Sequence, residues 1–68
     1  NTFKIYTSDK SIIIENDNYS TNDIKVYSQD GVLVKSIITN EKHTEIPVNK
    51  SGMYIVKTNS DTQKVIVK

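Results

Sequence analysis

His43 sits between two carboxylates in "EKHTE" (41–45), and an imidazole flanked by Glu41 and Glu45 is the arrangement in this sequence closest to a general base. In a strand, positions 41, 43 and 45 line one face. No motif ties a serine or cysteine nucleophile to them, so they read as an exposed polar face. A second oxygen-rich stretch, "ENDNYSTND" (15–23), carries Glu15, Asp17 and Asp23 with Asn16, Asn18 and Asn22 between them. Calcium takes such oxygens, but the spacing is not that of an EF-hand loop and no glycine makes its sharp turn. The stretch reads as a long solvated loop between strands. A single histidine and no cysteine leave no metal cage and no thiolate. The eight carboxylates could contain an acid/base pair for glycoside chemistry, but a 68-residue domain has little room for the cleft. The residues point to no catalytic site, no cofactor and no metal.

The tyrosines are the remaining candidates for contact. Of Tyr6, Tyr19, Tyr27 and Tyr54, Tyr27 alternates with Lys25 onto a face expected to be exposed. Tyrosines on a flat sheet face stack on sugars or on partner loops, and ordinary cross-strand packing accounts for a lone exposed tyrosine equally well. "NYS" (18–20) and "NKS" (49–51) fit the glycosylation acceptor pattern. Such triplets arise often in a chain this rich in Asn, Ser and Thr.

The chain that must hold these residues is short. Sixty-eight residues make one domain, with an apolar content of 35% and no disulfide to staple it. Nine basic side chains, all lysine, stand against eight acidic ones. The charge is close to balanced and the planar fork of arginine is missing, which argues against nucleic-acid binding. No apolar run approaches the length of a membrane-spanning helix, and no secretory signal pattern is present. The chain begins on Asn1 rather than Met, so it reads as an excised piece of a larger protein, with any export signal upstream.

Alanine and tryptophan are absent while Ile, Val and Thr abound, a composition suited to strands and poor for helices. Seven short strands are expected, at 2–7, 11–16, 23–28, 32–39, 42–48, 53–58 and 63–68. Asp30-Gly31, between two alternating runs, signals a tight hairpin. Pro47 places the fifth strand at an edge or ends it. Strands about ten residues apart with no helical periodicity predict an all-β fold, a small antiparallel sandwich or barrel. The expected core is Phe3, Ile5, Ile12, Ile14, Ile24, Val26, Val34, Ile46, Tyr54, Val56, Val65 and Val67, with Tyr54 and Val56 rather than Met53 and Ile55 facing inward.

The order of these signals is more distinctive than any one of them. "IKVYSQDGVLVKSI" (24–37) is strand, Asp-Gly, strand; a polar stretch with "EIPV" follows; then "KSGMYIVKT" (50–58), and finally the lysine-bearing "KVIVK" (64–68). This run resembles the C-terminal sorting domain (type A) of the type IX, or Por, secretion system of Bacteroidetes, most clearly over residues 24–68. The family usually opens with a strand followed by Pro-Asn-Pro, where this chain has Thr7-Ser8-Asp9. The resemblance implies an Ig-like antiparallel β-sandwich of about seven strands. It implies as partners an outer-membrane translocon, which recognises the domain, and a sortase, which removes it from the parent cargo. It also implies an exported protein, periplasmic in transit and then on the cell surface or secreted. The residues matching the family pattern are Gly31, Gly52, Tyr54, Lys64 and Lys68. The alternative is a structural or adhesive accessory domain that stays attached to a surface protein and touches glycans through Tyr27.

Overall fold

A computed structural model describes residues 3–16, 21–59 and 61–68, with Phe3 described for its backbone alone. Seven strands form: β1 (Phe3–Ser8), β2 (Ser11–Asn16), β3 (Asn22–Ser28), β4 (Leu33–Thr39), β5 (His43–Pro47), β6 (Gly52–Lys57) and β7 (Thr62–Val67). They make two antiparallel sheets, ordered β1-β2-β5 and β4-β3-β6-β7. The fold is an all-β, Ig-like sandwich. It differs from the constant-type arrangement, in which the fourth strand joins the first sheet. Here β4 lies beside β3 and forms the rim of the second sheet. The polar loop expected at 15–23 is shorter than its composition suggests, because β2 runs to Asn16 and β3 starts at Asn22. Asp17, Asn18 and Tyr19 lie outside the described residues.

Alternation builds the core. Ile12, Ile14 and Ile46 from the first sheet meet Ile24, Val26, Val56 and Val67 from the second, and all seven are essentially fully buried. Their β-branched side chains fit a pleated surface, and two such faces fill the layer between sheets. Ile5, Val48, Tyr54 and Val65 complete the cluster. Val48 was not expected there. It is drawn in because its N–H donates to the Lys10 carbonyl at 2.9 Å, which continues the β2–β5 ladder past Pro47. Ile13, on the outer face of β2, is also buried; it lies between its cross-strand partners Tyr6 and Glu45 on the central strand of a three-stranded sheet.

Val34 corrects the expected core: it is 45% exposed. Val26 pairs with Lys35 and Tyr27 pairs with Leu33, so Val34 is the extra residue of a β-bulge. The inward position is Ile37 instead, which pairs with Ile24 and packs half-buried against the core. Even Lys35, opposite fully buried Val26, is exposed. The first sheet therefore does not extend over β4.

The turn between β3 and β4 differs from the expected one. Asp30-Gly31 does not make a two-residue turn. The Gly31 N–H donates to the Ser28 carbonyl at 3.0 Å and the Ser28 N–H to the Val32 carbonyl at 2.8 Å. Gly31 alone there has a positive φ, of 88°. This is a three-residue loop with a left-handed glycine. The tight two-residue turn is Asp9-Lys10, with φ of 51° and 61°, although Lys10 is a poor residue for the left-handed region.

Depth of burial sets the cost of truncation. Ile24→Ala should lower the unfolding free energy by about 2–5 kcal/mol, while Ile38→Ser, at a 70% exposed side chain, should change it by no more than about 0.5 kcal/mol. Urea denaturation followed by circular dichroism checks both.

Candidate recognition surfaces

Four of the five residues that match the sorting-domain pattern lie at or near one end of the four-stranded sheet. The β3–β4 turn holds Gly31, and β6 begins at Gly52. Gly52 pairs with Val67, so Lys68 leaves the sheet at this same end. Between the turn and the β5–β6 loop is an open cleft of about 270 Å³, lined by residues that include Asp30, Lys50, Gly52 and Tyr54. Lys64 is set apart, near the middle of β7 on the outer face, opposite Ile55.

Tyr54 works inside the fold. Its ring is in the core, and its hydroxyl donates to the Lys50 carbonyl at 2.7 Å, four residues upstream. A tyrosine near the start of the sixth strand that bonds back across the preceding loop is the tyrosine corner of Ig-like sandwiches. The loop that Tyr54 holds is exposed at Lys50 and Ser51, whereas the ring is not. Gly52 serves the same corner. Its φ of 143° is open to glycine and strained for other residues, although a Cβ there would meet no atom within 4 Å.

Tyr27 lies on the outer face of the four-stranded sheet, half-buried between its cross-strand partners Leu33 and Ile55. It lines a shallow hollow of about 240 Å³ with Asp23, Lys25, Lys57, Thr58 and Asn59. Lys25 and Lys57 are directly opposed, an unfavourable pairing of like charges. Asp23 relieves it, since Lys25 Nζ lies 2.8 Å from its Oδ2. The hydrogen bond to Asp23 raises the Lys25 pKa above its usual value, against an opposing effect of desolvation. Asn59 fixes the rim: its Oδ1 accepts from the Asp23 N–H at 2.9 Å and its Nδ2 donates to the Thr21 carbonyl at 3.1 Å. The hollow thus presents an aromatic edge, two ammonium groups, a carboxylate and amide groups. Sequence alternation found Tyr27 and Lys25; Lys57 and Asn59 join them through the β3–β6 register, which local pattern does not encode.

His43 is exposed on β5 beside Glu15, with Nδ1 3.5 Å from Oε2, rather than working with Glu41 or Glu45. The Tyr6 hydroxyl donates to the same Oε2 at 3.0 Å, and this bond to Glu15 raises the Tyr6 pKa. The trio is a cross-strand polar cluster on the outer face of the first sheet, with no nucleophile in it. Among the described residues no group of three or more His, Asp or Glu side chains could hold a metal ion, and no helix is long and apolar enough to cross a membrane. No protein-family model, curated protein or solved structure matches this chain.

The corner can be tested by substitution. Tyr54→Phe keeps the ring and loses one hydrogen bond, so it should cost about 0.5–1.5 kcal/mol. Gly52→Ala should cost about 1–3 kcal/mol through backbone strain. Chemical denaturation of the two variants beside the parent measures both.

Proposed function

We propose that this domain is a non-catalytic secretion and sorting module, recognised as a folded sandwich by an outer-membrane translocon while its parent protein is exported to the cell surface. The observation that carries the reading is the convergence of the motif residues: Gly31, Gly52 and Lys68 come to one end of one sheet, around a loop that Tyr54 pins. A recognition tail needs a rigid feature that forms only on folding, and a corner held by the Tyr54 hydroxyl and positive-φ Gly52, beside the turn at Gly31, is such a feature. In this reading Lys64 and Lys68 present charge on the outer side of the last strand, and the sortase acts on the junction with the upstream cargo. Export places the domain in the periplasm in transit and afterwards on the cell surface or in the medium.

The intact mass of the mature parent protein, recovered from the cell surface or medium, tests this. A mass reduced by this domain supports a signal that is used once and removed. A mass that retains it refutes removal by a sortase.

One observation favours a second reading, an adhesive accessory domain that stays attached. The hollow beside Tyr27 joins an aromatic ring to ammonium, carboxylate and amide groups, the mixture that contacts sugars. Titration with soluble surface glycans should then shift the amide resonances of Lys25, Tyr27, Lys57 and Asn59 together, and Tyr27→Ala should abolish the shifts. Shifts scattered over both sheets, or none, remove this reading.

A further inference from the structure

We infer that the hollow beside Tyr27 takes an acidic saccharide, a uronate-bearing chain with one sugar ring against Tyr27 and its carboxylate on Lys57. The inference rests on the second reading above, an adhesive domain that touches sugars, and names the class of sugar.

The charge of the hollow is unbalanced. Lys25 and Lys57 are directly opposed across β3 and β6, and Lys64 stands diagonally from Lys57, opposite Ile55. Asp23 is the carboxylate that answers them, and both of its oxygens lie against Lys25 Nζ, at 2.9 and 2.8 Å. Asp61, at the start of β7, turns its Oδ1 to the Thr62 N–H at 2.9 Å. Among the described residues Lys57 and Lys64 have no carboxylate partner, and both are exposed. Like charges directly opposed on a sheet cost stability. A ligand carboxylate over Lys57 offsets that cost, and a neutral ligand does not.

The rest of the hollow suits a sugar ring rather than a bare anion. Tyr27 is held between Leu33 and Ile55 and offers an aromatic surface to the C–H groups of a pyranose. Asn59 fixes the rim through its bonds to the Asp23 N–H and the Thr21 carbonyl. The site is therefore formed before a ligand arrives, which lowers the cost of binding. Asn59 Nδ2 donates one hydrogen to Thr21 and keeps the other for a ligand hydroxyl. The volume of about 240 Å³ is small for a site that encloses a whole ligand, so one sugar unit is seated and the chain continues across the sheet. A nucleic acid would bring charge as well, but the sequence has no arginine to grip its phosphates.

The test is titration of the isotope-labelled 68-residue chain with tetramers of galacturonate and of mannuronate, each also as its full methyl ester. The ester keeps every ring and removes the charge. The acid tetramer should shift the amide resonances of Lys25, Tyr27, Lys57 and Asn59 and bind at least about threefold more tightly than the ester. That advantage should disappear at about 0.5 M salt. Lys57→Gln should bring the acid down to the level of the ester and leave ester binding unchanged. Its denaturation midpoint should be unchanged or raised, because a like-charge pair is removed. Tyr27→Leu should weaken both ligands. Acid and ester bound alike overturn the inference and leave the adhesive reading standing, whereas no binding of either overturns both. Oligoglutamate bound as tightly as the acid tetramers also overturns the inference, since charge alone is then read. So does an acid preference that survives in Lys57→Gln.

Discussion

One layer of β-branched side chains between two small sheets holds this protein together. The sequence has no cysteine to form a disulfide, and among the described residues there is no metal cluster and no second core. Each of the central strands, β2, β3 and β6, gives two fully or nearly fully buried side chains to the layer: Ile12 and Ile14, Ile24 and Val26, Tyr54 and Val56. Apolar burial is the main term favouring the folded state, and a chain this short has little of it to lose. The tyrosine corner, the Asn59 clasp and the β1–β7 hydrogen bonds each add a modest increment. They act on a structure that the layer has already defined.

The concentration of apolar side chains in one layer has a counterpart outside it. Each outer face carries a cluster of ionisable groups, and the clusters are organised by register rather than by motif. Glu15, Tyr6 and His43 meet on one face, and Asp23, Lys25 and Lys57 on the other. Neither group contains an activated nucleophile.

Much of the fold was legible in the sequence because its signals are local. Period-two alternation located all seven strands to within a residue or so of their ends, and ten of the twelve expected core residues are buried. Phe3 lies beyond the described side chains. Val34 was misplaced because a bulge resets the alternation of β4, and a bulge leaves no mark on hydrophobic pattern. Ile13 was missed because burial on a central strand depends on what its neighbours lay over it. The Asp30-Gly31 turn was misread for a related reason: Asp-Gly favours left-handed backbone, but loop length is fixed by how the flanking strands pair. The composition of the two surface hollows was legible only in part. Tyr27, Gly31 and Gly52 announced themselves by residue type, whereas the partners of Tyr27 come from a strand some thirty residues away that no local rule connects to it.

The clasp between the first and last strands has a temporal meaning. Thr7 reaches the carbonyl of Ile66 and Gln63 reaches that of Ile5, while Val65 and Val67 fill one side of the core. Synthesis delivers the chain from its N-terminus, so β1 must wait for β7 before its side of the sandwich can close. A ribosome that stalls even a few residues short of Val67 leaves the layer open. The native state of this domain therefore depends on its seventh strand as much as on its first.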